Sequence, residues 1–264
     1  MDPSWLQTTG FLVLGFFAGG VGALTGIGGG LIVTPVLTLF FGVPIRYAIA
    51  TSLCCVIATS SGAAARYVEQ QMTDVRLGMT LELATTTGAV CGAVVAGIVS
   101  REVLAGLFAF FLIYGGSSML RQVFKPRGAL SDDPNAYRVR HLPLGLVGSG
   151  GAGIVSGLLG VGGGIIKVPI MYLVMGVPFK IATATSNFMI GVTAAASAFI
   201  YYARGDMLPL IAAPTAIGVF FGANVGTHVF RRAKSRWLEI LFSVLTFYFA
   251  AMMLWKALHG GFAQ

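Results

Sequence analysis

From Leu6 to Ile45 the chain carries no charged side chain, and further uncharged runs recur along most of its length, Leu142 to Ile166 and Ile181 to Ala203 among them. Water cannot be the main solvent of such a chain; apolar runs of about 20 residues fit a bilayer. Such runs predict an all-α polytopic membrane protein. Charged residues make up 10% of the chain, against about 25% in soluble domains. That shortfall excludes an ordinary cytosolic enzyme, a disordered tail and a secreted disulfide scaffold.

The net charge of +8 then has a membrane explanation, because Lys and Arg accumulate in cytoplasmic loops. No polar domain with a basic face is present to take nucleic acid. Cys54, Cys55 and Cys91 lie in apolar segments, where thiols act as small packing residues. Met1 to Gly10 lacks the basic start of a cleavable signal and is read as part of the mature protein.

The chain also repeats itself. Gly26-Ile-Gly-Gly-Gly-Leu-Ile-Val-Thr-Pro35 aligns with Gly160-Val-Gly-Gly-Gly-Ile-Ile-Lys-Val-Pro169. The match runs on through Gly42-Val43-Pro44 over Gly176-Val177-Pro178 and Ala50-Thr51-Ser52 over Ala184-Thr185-Ser186. Gly88 and Gly92 fall over Gly218 and Gly222. Two halves follow, 8–122 and 144–258, joined by a polar linker at 123–143. Each half divides into a glycine-interrupted unit (8–42; 144–176) and three long helices (44–67, 76–99 and 101–121; 178–203, 206–230 and 236–258). The two arms of each unit are too short for a comfortable full crossing of about 30 Å.

Loop charge sets the topology. Arg121, Lys125, Arg127, Arg138 and Arg140 in the linker, and Arg231, Arg232, Lys234 and Arg236, form the two most basic loops. Placing both in the cytoplasm requires an even number of crossings between them. Two long helices intervene, so the glycine-interrupted unit must be a hairpin. Arg66, Arg76 and Lys180 then also fall inside, while Arg46, Arg101, Arg204 and Lys256 fall outside. Each half has odd parity, which predicts inverted repeats with both termini periplasmic and the central loop cytoplasmic.

Inverted repeats with short, glycine-broken segments in matching positions point to a transporter's central site. At Gly28, Gly29 and Gly30, and at Gly162, Gly163 and Gly164, a second half-helix begins. It presents unpaired amides and a positive dipole end. Pro35 and Pro169 follow early in those half-helices, where a missing N–H is least costly. Two such ends would attract an anion. Lys167 adds a cation beside the second tip, where the first has Val33; it serves the site or snorkels to an interface. Thr51 and Ser52, with Thr185, Ser186 and Asn187, lie about two turns into their helices. They donate to a multi-oxygen anion, or bond back along the helix. Glu82, whose counterpart in the other half is the non-acidic Ala212, is a proton-coupling carboxylate or a partner for Arg76 or Lys167. The Gly88/Gly92 and Gly218/Gly222 pairs serve helix packing. Asn224 and His228 share the penultimate helix, and His228 reads as interfacial.

The duplicated G-x-G-G-G-x-x-x-x-P blocks, each followed by G-V-P and A-T-S, resemble those of the TauE/SafE family of sulfite and organosulfur-anion exporters. The resemblance covers nearly the whole chain. It implies bacterial inner-membrane transport of sulfite, sulfoacetate or a related organosulfonate, outward and without ATP. The partners implied are the lipid bilayer, a small anion and protons as coupling ion, with no cofactor or metal. An enzyme reading lacks residues: no G-K-[ST] follows either glycine block, and neither H-E-x-x-H nor G-x-S-x-G occurs. The closer rival is a passive anion channel, since the same tips could line a pore.

Overall fold

The computed structural model describes residues 4–25, 28–124, 137–229 and 235–258. The chain is helical throughout the described elements: α1 (Trp5–Thr25), α2 (Gly30–Phe40), α3 (Ile45–Glu69), α4 (Val75–Ala96), α5 (Arg101–Phe124), α6 (Leu142–Leu159), α7 (Gly164–Pro169), α8 (Phe179–Ala203), α9 (Pro209–Val229) and α10 (Ser235–Leu258). A wide π-type turn, Ile170–Val174, prolongs α7. Six of these helices are long and apolar enough to cross a membrane, and α2 and Gly164–Val174 are shorter apolar pieces. The protein is a multi-pass membrane protein. Leu83, Val147 and Phe199 each stand more than 70% exposed, the outward apolar surface that lipid rather than water covers.

The G-V-P motif is a stop-and-restart signal built from local chemistry. Gly42 and Gly176 adopt φ of +66° and +71°, the left-handed conformation that ends a helix at little steric cost. The next amide reaches back six residues, Val43 N–H to Leu37 O at 3.0 Å and Val177 N–H to Met171 O at 2.9 Å, and both valines are buried. Pro44 and Pro178 then open α3 and α8, where a missing N–H is harmless.

Each glycine-interrupted unit folds back on itself. Phe41, at the end of α2, packs against Phe11 near the start of α1 with ring centroids 4.8 Å apart. Gly145 faces Met175 and Gly148 faces Ile170 in the second unit. The arms are unequal: α1 has 21 residues and α2 has 11, so α1 is long enough to cross the membrane and α2 is not. The expectation that both arms of each unit fall short of a crossing is thus corrected for α1 and for the 18-residue α6, each long enough to span.

The halves are interlocked rather than side by side. Helix α1 packs on α9, and α6 packs on α4, each a contact between opposite halves. Close backbone approach makes this possible. A Cβ at Gly15 or Gly19 would run into the Thr215 or Val219 carbonyl, and one at Gly218 or Gly222 into that of Leu12 or Phe16. The same pattern holds for Gly153 and Gly157 against Thr85 and Ala89, and for Gly88 and Gly92 against Gly150 and Ile154. Contacts advance in the same direction along both partners, so each pair is parallel. Four G-x-x-x-G motifs thereby form two zippers. Helices α3 and α8 pack together in the interior, with Val56, Ile190 and Ala194 fully buried, while α5 packs on α10.

Candidate functional site at the hairpin tips

The two tips meet at the middle of the bundle. Gly28, with φ of +80°, lies where a Cβ would touch both Val56 of α3 and Ile190 of α8, at 3.2 and 3.3 Å. A Cβ on Gly30 would fall 2.5 Å from the Gly160 carbonyl oxygen of the other tip. That carbonyl accepts a hydrogen bond from the Ser52 hydroxyl at 2.6 Å. In the second tip Gly162 and Gly163 take φ of +77° and +74°, so this chain reversal requires glycine in succession.

The predicted residues divide by what they do. Ser52 ties α3 to the second tip. The Thr51 hydroxyl is buried without a hydrogen-bond partner. The Thr185 hydroxyl accepts the Asp74 amide at 3.0 Å, so the α3–α4 turn sits over α8. Ser186 is buried and bonded. The Asn187 side-chain amide donates to the carbonyls of Ala23 and Thr183, both at 3.2 Å, while its Oδ1 stays without a donor. Its counterpart in the first half is Leu53, so this amide belongs to one half alone.

Lys167 does not snorkel. It is 1% exposed, and its Nζ donates to Thr193 Oγ1 at 3.0 Å and lies 3.6 Å from Glu82 Oε2. Thr193 in turn donates to Glu82 Oε1 at 2.6 Å, which also accepts from Thr86 at 3.0 Å. Of the partners open to Glu82, the fold selects Lys167; Arg76 is exposed in the first turn of α4. Sequence reasoning passed over Thr59, Thr86, Thr193 and Ser156. Thr59 receives the Gly29 amide at 3.4 Å, and the Ser156 hydroxyl, beside Gly163, has no partner. A signal existed for two of them: Thr59 and Thr193 stand seven residues after Ser52 and Ser186, on the same helix face. Asn224 bonds back to Phe220 O at 2.9 Å, and the side chain of His228 lies outside the described residues.

Polar side chains pin the α3–α4 turn and the α8–α9 turn. At the first, Tyr137 donates to Asp74 Oδ2 while Asp74 Oδ1 caps the Leu77 amide at 2.9 Å. Burial, reinforced by the Asp74 carboxylate, pushes the Tyr137 hydroxyl upward from its usual range, so it remains a donor at physiological pH. At the second, Arg204 pairs with Asp206, donates to Ala93 O at 2.9 Å and stacks on Tyr201.

Comparison with known proteins agrees with this architecture. The sequence matches the family described as Sulfite exporter TauE/SafE over residues 11–253. It is 26% identical to the probable membrane transporter protein YunE of Bacillus subtilis, across 94% of this chain and 97% of the relative. A probable membrane transporter protein of Methanocaldococcus jannaschii is 27% identical across 88% and 90% of the two chains. A shorter stretch, 31% of this chain and 17% of the relative, is 42% identical to Sulfite exporter TauE/SafE family protein 3 of Arabidopsis thaliana. No solved structure matches the chain. With a helical membrane fold and a family match over nearly its whole length, the chain belongs to the sulfite exporter TauE/SafE family.

Proposed function

We propose that the protein is a secondary transporter that moves a small sulfur-containing anion, sulfite, sulfoacetate or a related organosulfonate, outward across a bacterial inner membrane. The observation that carries this reading is the meeting of two glycine tips from opposite halves, with the buried cation Lys167 beside one of them. First-turn amides and a helix dipole favour an anion, and the buried hydroxyls of Thr51 and Ser156 are donors without acceptors. Substrate residues are then Gly28–Gly30, Thr51, Ser52, Gly162–Gly164, Lys167, Thr185, Ser186 and Asn187. Burial of the whole set supports alternating access over an open pore. The inverted-repeat topology is part of the proposal. The fold-back of α2 onto α1, and of the π-type turn onto α6, supports it, because a hairpin followed by three crossings reverses the second half. Both termini are then periplasmic.

Thermal stabilisation of the purified protein tests the reading, since a ligand present at about 100 times its Kd adds about 2.7 kcal/mol to the folded state. The panel is sulfite, sulfate, sulfoacetate, taurine, chloride and acetate. The expected outcome is selective stabilisation by a sulfur oxyanion that disappears in Lys167→Ala. A flat response to all six, with lipid stabilisation intact, overturns it.

A further inference from the structure

The Lys167–Glu82 pair is incomplete as a purely structural ion pair. The Lys167 ammonium has three N–H donors, and among the described residues Thr193 alone accepts one at hydrogen-bond distance. Glu82 Oε2 is buried with no hydrogen-bond partner and stands 3.6 Å from Nζ, longer than a direct bond. Oε1 is fully used, taking both Thr193 and Thr86. Buried charges with donors and lone pairs left over are costly unless another partner completes them. The other half carries no such pair: Val33 and Ala212 occupy the matching positions, and Thr59, the counterpart of Thr193, receives a tip amide instead.

Resting on the anion-transport reading above, we infer that a monovalent sulfur oxyanion, hydrogensulfite or a singly charged sulfonate, displaces Glu82 from Lys167 while Glu82 takes up one proton. The proton comes from solvent and lands on Oε2, which leaves Oε1 free to keep both threonines. The anion takes the N–H donors that Lys167 has unspent. Charge decides the substrate class. The empty site holds one ammonium and one carboxylate and is neutral; the loaded site holds an ammonium, a carboxylic acid and a monoanion and is neutral too. Both forms can therefore reorient through the membrane interior, whereas a dianion would leave a net charge there, which narrows the proposed substrates to hydrogensulfite and singly charged sulfonates and sets sulfoacetate, a dianion near neutrality, aside.

Other titratable groups on the packed elements do not compete. Helix α6 has none between Leu142 and Leu159. On α8, Lys180 lies at the exposed start, Tyr202 is exposed near its end, and Tyr201 donates to the carbonyls of Gly157 and Leu158. Tyr172 of the π-type turn packs on Phe179. On α4, Cys91 is exposed two turns on, Arg76 is exposed, and Asp74 is engaged by Tyr137. The consequence for transport is that an anion follows the combined gradients. Outward flux requires an outward anion gradient larger than any inward proton gradient.

The test counts protons. Isethionate and methanesulfonate keep a single fixed charge near neutrality, so proton uptake on adding them to the purified full chain, in weak buffer with a pH-indicating dye, reports on the protein alone. Sulfite is run in parallel, with its own titration subtracted. For the wild type we expect about one proton per bound anion and affinity rising about tenfold per unit fall in pH while Glu82 is ionised. Glu82→Gln should bind several-fold tighter, take up no proton and lose the pH dependence. Lys167→Met/Glu82→Gln, neutral and free of an unpaired buried charge, should lose both binding and uptake. Wild-type binding without proton uptake, uptake retained in Glu82→Gln, or binding retained in the double variant each overturns the inference while leaving anion transport standing. Failure of all three anions to bind the wild type defeats the transport reading itself, and this inference with it.

Discussion

Two glycines of the first hairpin show how differently a single methyl group is received. Gly42 has φ of +66° but open space around the missing Cβ. Gly42→Ala should therefore cost about 1–2 kcal/mol of left-handed strain and leave anion binding intact. Gly30 faces a backbone carbonyl of the other tip, 2.5 Å from where the Cβ would be, and backbone cannot swing aside. Gly30→Ala should cost about 1–3 kcal/mol and weaken sulfite-induced stabilisation at least tenfold in apparent Kd. Thermal melting with and without sulfite separates the two, and equal behaviour of both variants would remove the tip contact from the site. The glycine blocks and the lone Lys167 were legible in the sequence, because neither residue type is common where it stands without a reason. What Lys167 touches was not legible. Glu82 and Thr193 are 111 residues apart, and no local rule brings them together.

The zippers carry the same contrast to the scale of a helix. On α6, Gly151 has nothing within 4 Å of a built Cβ, whereas Gly153, two residues on, faces the Thr85 carbonyl of α4 inside contact distance. Gly151→Ala should be neutral or stabilising by up to about 1 kcal/mol through helix propensity. Gly153→Ala should destabilise by about 1–3 kcal/mol as α4 and α6 are forced apart. Melting curves in one detergent give the comparison directly; similar curves would mean that α6 is not held by close backbone contact. In the sequence the pairs Gly88/Gly92 and Gly218/Gly222 stand out as packing motifs. Their partners Gly15/Gly19 and Gly153/Gly157 are hidden in helices with so many glycines that spacing alone does not say which of them face a neighbour.

At the scale of the whole molecule the exchange of helices between halves links motion at one tip to the other. Helix α1 carries the first tip and is zipped to α9 of the second half; α6 carries the second tip and is zipped to α4 of the first. Displacing one hairpin must therefore move helices of both halves. The proposed orientation makes a direct prediction about sidedness. Arg138 and Ser100 are both exposed, on the linker and on the α4–α5 turn. Arg138→Cys should react with a membrane-impermeant maleimide only in inverted vesicles, and Ser100→Cys only in intact cells. Reaction of both from the same side would contradict a full crossing by α5, on which the proposed orientation rests.

The sequence by itself determined the solvent, the helices, the duplication and the points where helices stop and restart. Each of these is set by a transfer free energy or by the conformational range of residues that adjoin in the chain, as in the Gly-Val-Pro junctions. Only the tertiary structure decided that Ser52 of α3 would bond the second tip, that Thr185 would be capped by the α3–α4 turn, that Lys167 would face Glu82, and that each hairpin would lean on the opposite half. Those pairings depend on distances between residues far apart in the chain, which packing sets after the helices have formed.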